Sequence, residues 1–270
     1  MSDLTDDGQT EYDDPSFRHS TYFGSQPGPG PVPDWVITED AANQQERGLL
    51  KTGKEADVHL IERTLGPRRN LLAAKRYRKF EERLFRDDSR YRQGRRTGRR
   101  RADLAMAQGT RRGMAMRAEQ WVSTEFDVLG RLWEAGASVP YPVQRRGHEI
   151  MLQYIGDDDG AAPRLVHAQV SDELAAELFE QAVTNLRLLV GLGVIHGDLS
   201  PYNLLVWDER LWFIDFPQAV DPILNADGLD LLDRDVRNLC GWFARRGVAT
   251  DPGALFAELL AEVVPPGSPL

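Results

Sequence analysis

The residues most able to do chemistry lie between His196 and Asp215. Four residues separate Asp198 from Asn203, and Asp215 follows Asn203 by twelve residues with hydrophobic neighbours on both sides. A carboxylate in an apolar run needs a compensating charge, because its desolvation is costly. Carboxylate and amide oxygens are the ligand type that Mg²⁺ prefers, and Mg²⁺ is commonly shared with substrate phosphates. The spacing therefore indicates a magnesium and phosphate site; the alternative is a buried β-turn with two capping acids.

Two charged residues further upstream also stand in apolar surroundings. Lys75 ends an apolar strand, where a lysine is unexpected unless it is paired. Glu125 adjoins the apolar face of a helix predicted over residues 120–133. That face is formed by Val122, Phe126, Leu129 and Trp133, at helical spacing. We predict that Lys75 pairs with Glu125; the alternative is that Glu125 is an ordinary solvated surface residue.

Lysine is rare in this chain and concentrated in one region. The sequence has 29 Arg and only four Lys, all within 29 residues: Lys51, Lys54, Lys75 and Lys79. A compact ammonium and a planar guanidinium bind different partners, so these lysines mark positions that an Arg would not replace. For Lys51 and Lys79, chance placement stays open as the alternative. The first two flank Gly53 in a predicted strand, glycine turn and strand. The alternative for Gly53 alone is a plain hairpin residue.

Together these segments resemble the RIO family of atypical serine kinases, and its type 1 branch in particular. The resemblance rests on HGDLSPYN at residues 196–203, IDFPQAV at 214–220, TGKEADV at 52–58 and the helix that carries Glu125. Three features depart from conventional protein kinases. Gly197 precedes Asp198, whereas an Arg precedes the catalytic Asp of conventional protein kinases. Asp-Phe-Pro replaces their Asp-Phe-Gly, and the nucleotide turn has a single glycine.

The resemblance implies both a fold and a set of roles. The expected fold is a bilobal, trimmed protein-kinase-like α+β fold, with a small antiparallel-sheet N-lobe and a mainly helical C-lobe. The catalytic residues would be Asp198, Lys75 and Glu125, and the metal ligands Asn203 and Asp215. The nucleotide-binding residues would be Thr52, Gly53, Lys54, Val58, Lys75, Gln153 and Ile155, the last two through backbone groups that face the adenine. The expected cofactors are ATP and Mg²⁺ or Mn²⁺.

The predicted organisation of the chain follows its composition. We expect a disordered acidic and Pro/Gly-rich tail at 1–33, an N-lobe at 34–152, a hinge at 153–160, a C-lobe at 161–264 and a short tail at 265–270. The N-lobe contains an Arg-rich insertion at about 86–113, which should be flexible because it is basic, Gly-punctuated and poor in apolar residues.

Charge is unevenly distributed along the chain. The net charge is −9, yet the first 14 residues carry six acids and no Lys or Arg, whereas residues 76–117 hold fifteen Arg and Lys against five acids. The basic region is either a solvated loop or a surface that contacts RNA or a ribosomal particle. A single cysteine, Cys240, excludes an intrachain disulfide. Neither a signal-peptide pattern nor an apolar stretch of membrane length is present, so a cytoplasmic location is expected.

The resemblance implies phosphoryl transfer from ATP to protein serine or threonine, including the protein itself, and in some members an ATPase switch linked to small ribosomal subunit maturation. Two alternatives stay open. One is a small-molecule phosphotransferase of the aminoglycoside or choline kinase kind, which shares His-Gly-Asp-x-x-x-x-Asn. The other is a nucleotide-regulated module that binds RNA or the ribosome. The Arg- and Ala-rich usage indicates a bacterial source, in which an archaeal or eukaryotic ribosomal partner is not expected. The acceptor itself stays open.

Overall fold

Two lobes make up the described part of the chain, one built on a β-sheet and one mainly helical. The computed structural model describes residues 17–53, 55–78 and 111–263. The strands are β1 (Phe17–His19), β2 (Gln26–Pro27), β3 (Asn43–Thr52), β4 (Ala56–Leu65), β5 (Arg68–Tyr77), β6 (Pro142–Arg146), β7 (Glu149–Gln153), β8 (Leu204–Trp207) and β9 (Arg210–Phe213). The helices are α1 (Arg111–Glu134), α2 (Asp172–Gly191), α3 (Gly228–Ala244) and α4 (Pro252–Val263). The predicted bilobal α+β fold is confirmed.

The sheet of the N-lobe has seven strands in the order β1-β3-β4-β5-β7-β6-β2. The predicted strands on either side of the glycine turn are β3 and β4, and the strand predicted to carry Lys75 is β5, which lies between β4 and β7. Lys75 on β5 pairs with Val58 on one side and Ile150 on the other. A central strand is held by ladder hydrogen bonds on both edges, so the sheet fixes the backbone from which Lys75 projects.

The prediction of a disordered tail over 1–33 is wrong for residues 17–33, because this segment is ordered and adds the short strands β1 and β2 to the sheet. β1 pairs with β3 and β2 pairs with β6, both antiparallel. A Cβ at Gly28 would lie 1.8 Å from the Pro142 carbonyl oxygen, so only glycine permits this close approach. The Tyr141 hydroxyl also donates to the Pro29 carbonyl at 2.8 Å. The N-lobe therefore begins at residue 17 rather than 34, because partners distant in sequence stabilise a segment that is poor in apolar residues.

Helix α1 packs against both lobes. Val122 and Phe126 belong to an apolar cluster with Ile150 of the sheet, whereas Leu129 and Leu132 belong to the core of the C-lobe. The predicted apolar face is confirmed, since Val122, Phe126 and Leu129 are at most 3% exposed. Residues 86–110 of the predicted insertion lie outside the described part of the chain. Its predicted end at about 113 is wrong, because residues 111–113 already belong to α1. Residues 1–16, Lys54 and the predicted tail at 265–270 also lie outside the description.

A short connection leads from the sheet to the C-lobe. After β7 ends at Gln153, the Asp157 carboxylate accepts the backbone amides of Asp159 and Gly160 at 2.9 and 3.1 Å. Helix α2 then begins at its N-cap, where Ser171 Oγ accepts the Leu174 amide at 3.2 Å. Helices α2, α3 and α4 share one apolar core, and α2 leads directly into residues 192–203. Within the three described ranges, no helix is both long and apolar enough to cross a membrane.

One buried guanidinium ties the N-terminal segment to the sheet. The Arg63 side chain is fully buried and donates to the Ile37 carbonyl at 2.9 Å, to Gln44 Oε1 at 3.0 Å and to Gln144 Oε1 at 2.8 Å. Among the described residues no carboxylate contacts it, and burial lowers the pKa of Arg63 to about 10. Neutral oxygens therefore compensate its charge.

Replacing Arg63 with Met is expected to destabilise the protein by about 3 kcal/mol, because three buried acceptors lose their donor. The measurement is the free energy of unfolding in urea. Arg47→Met is the matched control, since Arg47 is 48% exposed on the neighbouring strand β3, and it should change stability by less than about 0.5 kcal/mol. Equal stability of the two variants would show that the buried network contributes nothing.

Candidate active site

One ammonium and two carboxylates connect the lobes. Lys75 Nζ lies 2.7 Å from Glu125 Oε1 and 2.6 Å from Asp215 Oδ1. Lys75 comes from β5 and Glu125 from α1, while Asp215 follows β9, so residues as far as 140 positions apart converge. The predicted pair of Lys75 and Glu125 is present. The alternative of a solvated Glu125 is wrong, because its side chain is 1% exposed.

Burial and ion pairing shift the pKa values of the groups in this cluster in opposite directions. Burial lowers the pKa of Lys75, but the carboxylates of Asp215 and Glu125 outweigh burial and hold that pKa above its usual value. Burial likewise acts to raise the pKa of Asp215, yet Lys75 and then Lys51 hold it well below its usual range. At Glu125 burial prevails over the charge of Lys75 and raises the pKa of the carboxyl. Lys75 and Asp215 are therefore both charged at neutral pH.

Glu125 also positions the backbone beside Asp215. Its Oε1 accepts the Phe216 amide at 3.1 Å, while its Oε2 is buried with no partner among the described residues. Asp215 has a φ of 74°, in the left-handed region that non-glycine residues rarely adopt. Such strain costs roughly 1–3 kcal/mol and persists where surrounding contacts impose it. Here the contacts from Lys75 and Glu125 hold the strained residue in place.

The loop that carries Asp198 is clamped from helix α3. Asp235 Oδ2 accepts the Gly197 amide at 2.8 Å, and Oδ1 accepts the Leu199 amide at 2.9 Å. Gly197 has a φ of 77°, and a Cβ there would lie 2.6 Å from the Gln218 carbonyl oxygen. An arginine at position 197 would clash with that carbonyl, so this backbone conformation explains the glycine. Burial raises the pKa of Asp235, whose side chain is 1% exposed.

His196 links the same loop to the segment that carries Asp215. Its Nδ1 accepts the Asp198 amide at 3.4 Å, and its Nε2 lies 3.1 Å from the Ile214 carbonyl. Because Nδ1 accepts, the neutral ring carries its proton on Nε2 and donates it to Ile214. The ring also packs against Phe216, with centroids 4.6 Å apart. One imidazole thus holds both the backbone amide of Asp198 and the backbone carbonyl that precedes Asp215.

Asp198 and Asn203 face each other across the turn between them. Asn203 Nδ2 donates to the Asp198 carbonyl at 2.8 Å and to Asp198 Oδ2 at 3.1 Å. Asn203 is buried, whereas Asp198 is exposed. The Ile214 amide donates to the Asn203 carbonyl at 3.0 Å, which places Asn203 beside the segment of Asp215. Neither acid caps a turn, so the alternative of a buried β-turn with two capping acids is not what the structure shows.

A cavity of about 600 Å³ lies between the lobes and brings most of the predicted residues together. Its lining includes Thr52, Gly53, Val58, Lys75, Glu125, Gln153, Ile155, Asp198 and Asp215. Asn203 is not among the lining residues, and Lys54 lies outside the described part of the chain. The Gly53 amide donates to the Ala56 carbonyl at 3.0 Å, so Gly53 does close a hairpin and its amide is already bonded. Which backbone groups would face an adenine stays a prediction, although the Ile155 carbonyl already accepts the Ala162 amide at 2.9 Å.

The residues present fit a nucleotide and a magnesium ion. The cavity volume lies within the range of small-molecule sites. Asn203 directs its Nδ2 at Asp198, which leaves its Oδ1 as an oxygen ligand, and Asp215 supplies a carboxylate of low pKa. In the described ranges no group of three or more His, Cys, Asp or Glu forms a metal cluster. Two oxygen ligands from the protein suit Mg²⁺, which usually keeps several waters and binds substrate phosphates.

Three further residues belong to the site. Lys51 received no role in the sequence-based prediction, and Arg164 and Asp235 were not predicted. Lys51 Nζ lies 3.7 Å from Asp215 Oδ2, and Arg164 lines the same cavity. Asp235 clamps the loop as described above. Asp235 could have been found, since it follows Leu231 by four residues and precedes Leu239 by four, and so places an acid on the apolar stripe of a helix. The sequence carries no such signal for Arg164.

Replacing Asp235 with Asn is expected to loosen the loop, because an amide group accepts only one of the two backbone donors and presents N–H to the other. The Gly197 and Leu199 amides should exchange with deuterium about tenfold faster or more, and stability should fall by about 1–3 kcal/mol. Asp233→Asn on the same helix is the control, since Asp233 contacts Arg237 on the surface. Unchanged exchange of both amides would contradict the clamp.

Comparison with known proteins agrees with the geometry. The RIO domain model matches residues 63–254. The serine/threonine-protein kinase rio1 of Dictyostelium discoideum is 33% identical over 218 residues, which are 80% of this chain and 35% of that protein. The RIO-type serine/threonine-protein kinase Rio1 of Haloferax volcanii is 34% identical over 148 residues, which are 55% of this chain and 49% of that protein.

A third relative is the RIO-type serine/threonine-protein kinase Rio1 of Thermoplasma acidophilum. It is 30% identical over 132 residues, which are 49% of this chain and 68% of that protein. The chain thus spans between about a third and a half of the length of the first relatives it matches. The predicted bacterial source stays a prediction. The match to the RIO domain extends over parts of both lobes and contains Lys75, Glu125, Asp198, Asn203 and Asp215, and the chain therefore belongs to the RIO family.

Proposed function

We propose that this chain is an ATP- and Mg²⁺-dependent kinase that phosphorylates serine or threonine hydroxyls of proteins, its own included. The observation that carries the proposal is the ammonium of Lys75, held at 2.7 and 2.6 Å between Glu125 and Asp215 in a cavity that Asp198 also lines. The names of the relatives, which are serine/threonine-protein kinases, support the same reaction. An ATPase switch, in which water replaces the protein hydroxyl, uses the same residues.

Each residue would have a separate task in this reaction. Lys75, oriented by Glu125, would hold phosphate oxygens of the nucleotide, while Asn203 and Asp215 would hold the metal. The metal, when bound, supplies positive charge against the phosphates. Asp198 would orient the acceptor hydroxyl and take its proton. The hydroxyl oxygen then forms a bond to the γ-phosphorus, the bond from that phosphorus to the β–γ bridging oxygen breaks, and ADP leaves.

The surroundings of Asp198 favour a large acceptor. Asp198 is exposed, and Tyr202 in the same loop is 52% exposed with its ring against His167. A hydroxyl on a protein surface can reach an exposed carboxylate without entering the cavity. A small-molecule kinase instead needs a second enclosed pocket for its acceptor. We therefore favour a protein acceptor over a small one.

The test is a reaction of the whole chain with ATP labelled in the γ-phosphate. Label is followed on protein serine and threonine, on a panel of aminoglycosides and amino alcohols, and in free phosphate. We expect label on protein, with Asp198→Asn as the inactive control. Label on the small molecules would support a phosphotransferase of another class, and label in free phosphate alone would support a nucleotide switch. Absence of turnover and of ATP binding would overturn the proposal.

Contact with RNA or a ribosomal particle is proposed from composition alone. The basic residues concerned lie at about 86–113, almost entirely outside the described part of the chain. Electrostatic contact with phosphates weakens steeply with salt. Affinity for a structured RNA should therefore fall steeply with rising salt, and should be lost when the ten Arg of this region are replaced with Gln. Affinity that does not depend on salt would contradict the proposal.

A further inference from the structure

Lys51 contacts the carboxylate predicted to hold the metal. It lies on β3, two residues before Gly53, and lines the cavity. Its Nζ is 3.7 Å from Asp215 Oδ2, while Lys75 Nζ is 2.6 Å from Asp215 Oδ1. Each oxygen of Asp215 therefore faces a different ammonium. The mechanism proposed above uses Lys75 and leaves Lys51 without a task.

The contact of Lys51 is loose, unlike that of Lys75. Charge-assisted hydrogen bonds between nitrogen and oxygen have lengths of about 2.7–2.9 Å, so a separation of 3.7 Å is an ion pair without a hydrogen bond. The Lys51 side chain is 39% exposed, against 10% for Lys75. No other carboxylate in the described ranges forms an ion pair with it. A flexible four-carbon stem can carry this ammonium to another anion at small cost.

The neighbouring charges favour such a move. Burial and the positive charges of Arg164 and Lys75 all act against the charge of Lys51, whereas Asp215 favours it. Arg164 also lines the cavity. In the described part of the chain, three cations thus line a cavity that four acids also line: Glu55, Glu125, Asp198 and Asp215. An anion with several oxygens that enters beside the cations would reduce their mutual repulsion. The triphosphate of a nucleotide is such an anion.

We propose that Lys51 is a second phosphate-binding lysine, which pairs with Asp215 before nucleotide binds and contacts a phosphate oxygen once nucleotide enters. This proposal rests on the proposed use of ATP. It has a consequence that a purely structural lysine would not have. Lys51 competes with a divalent cation for Asp215 but assists the nucleotide, so its removal should affect the two ligands in opposite directions.

The test compares Lys51→Gln with the unaltered chain in two binding measurements. Calorimetry gives the Kd of ATP, with Mg²⁺ and with EDTA. Electron paramagnetic resonance gives the Kd of Mn²⁺ without nucleotide. We expect ATP to bind about tenfold more weakly in both buffers, at the low end for a charged hydrogen bond because Lys51 is 39% exposed. We expect Mn²⁺ to bind about two- to fivefold more tightly, as for the loss of an exposed ion pair.

Arg47→Gln is the matched control. Arg47 also lies on β3 and is 48% exposed, but it contacts Glu62 outside the cavity. It should change neither Kd by more than about twofold, since exposed charges are largely screened. Lys51→Arg, which keeps the charge, should retain most of the affinity for ATP.

The outcomes separate this proposal from the one on which it rests. Unchanged ATP affinity in Lys51→Gln overturns the role of Lys51 while the kinase proposal stands. Weaker binding of both ATP and Mn²⁺ also overturns it, because it indicates a general distortion of the site. If the unaltered chain binds no ATP in either buffer, the proposed function fails, and the role of Lys51 fails with it.

Discussion

Asp198→Asn is expected to lower the rate of phosphoryl transfer about 10²–10⁴-fold, the usual contribution of a general base. Asp198 is exposed at the cavity and contacts Asn203 Nδ2 at 3.1 Å, with no ion pair to any described cation. Asparagine keeps the shape of the side chain but does not take a proton from a hydroxyl at neutral pH. Affinity for Mg·ATP should stay within about threefold, because the interaction lost belongs to the transition state.

Single-turnover transfer from labelled ATP measures this effect, and calorimetry measures the affinity for the nucleotide. Asp159→Asn is the control, since Asp159 is an exposed acid in the connection between the lobes and does not line the cavity. It should react at the rate of the unaltered chain. Transfer by Asp198→Asn at that same rate would remove Asp198 from the mechanism.

Lys75→Met is expected to weaken nucleotide binding and to lower the free energy of unfolding. Removing one partner of a buried ion pair costs about 3 kcal/mol, because the other charge stays buried without compensation. For a chain of this size that corresponds to a fall in melting temperature on the order of 6–12 °C. Glu125→Gln in the Lys75→Met background should recover part of this loss at pH 7, since one of the two carboxylates that lose Lys75 is gone. Thermal unfolding of the two single variants, the double variant and the unaltered chain measures the coupling.

The cost of Lys75→Met should depend on pH with a definite sign. Burial already raises the pKa of Glu125, and without Lys75 that pKa rises further. A carboxyl whose pKa is higher in the folded state stabilises the fold most below its unfolded value of about 4.3, and this contribution is lost as pH rises through the folded pKa. The loss of stability should therefore grow as pH rises above about 4.3 and through the raised pKa of Glu125. Asp215 changes the cost in the same direction, because Lys75 contributes most to its low pKa and the variant removes that contribution. A loss that shrinks as pH rises would contradict the uncompensated charge on Glu125.

The parts of the site that were predictable are those in which a charge interrupts an apolar pattern. Lys75 ends an apolar run of sequence, Glu125 adjoins an apolar helical face, and Asp215 stands between Ile214 and Phe216. Each is costly to bury alone, so the sequence by itself indicated that each has a partner. The prediction of the fold class came from the family resemblance.

What the sequence could not indicate depends on contacts that local pattern does not encode. Residues 17–33 have the composition of a disordered tail, yet they add two strands to the sheet. Gly28 packs against the Pro142 carbonyl of β6, and the Tyr141 hydroxyl donates to the Pro29 carbonyl. Lys51 lies on an exposed strand edge, where a lysine is ordinary, and only the folded chain brings it to Asp215. The partners of Gly28, Pro29 and Lys51 are all more than 100 residues away, beyond the reach of periodicity.

The central claim is that Lys75, Glu125, Asp198, Asn203 and Asp215 serve one Mg·ATP. Calorimetric titration of the unaltered chain and of Asp215→Asn with a non-hydrolysable ATP analogue, with and without Mg²⁺, tests it most directly. We predict that one analogue binds per unaltered chain, that Mg²⁺ tightens its binding, and that Asp215→Asn abolishes this gain from Mg²⁺. An unaltered chain that binds no analogue, or an Asp215→Asn variant that keeps the full gain from Mg²⁺, would contradict the account.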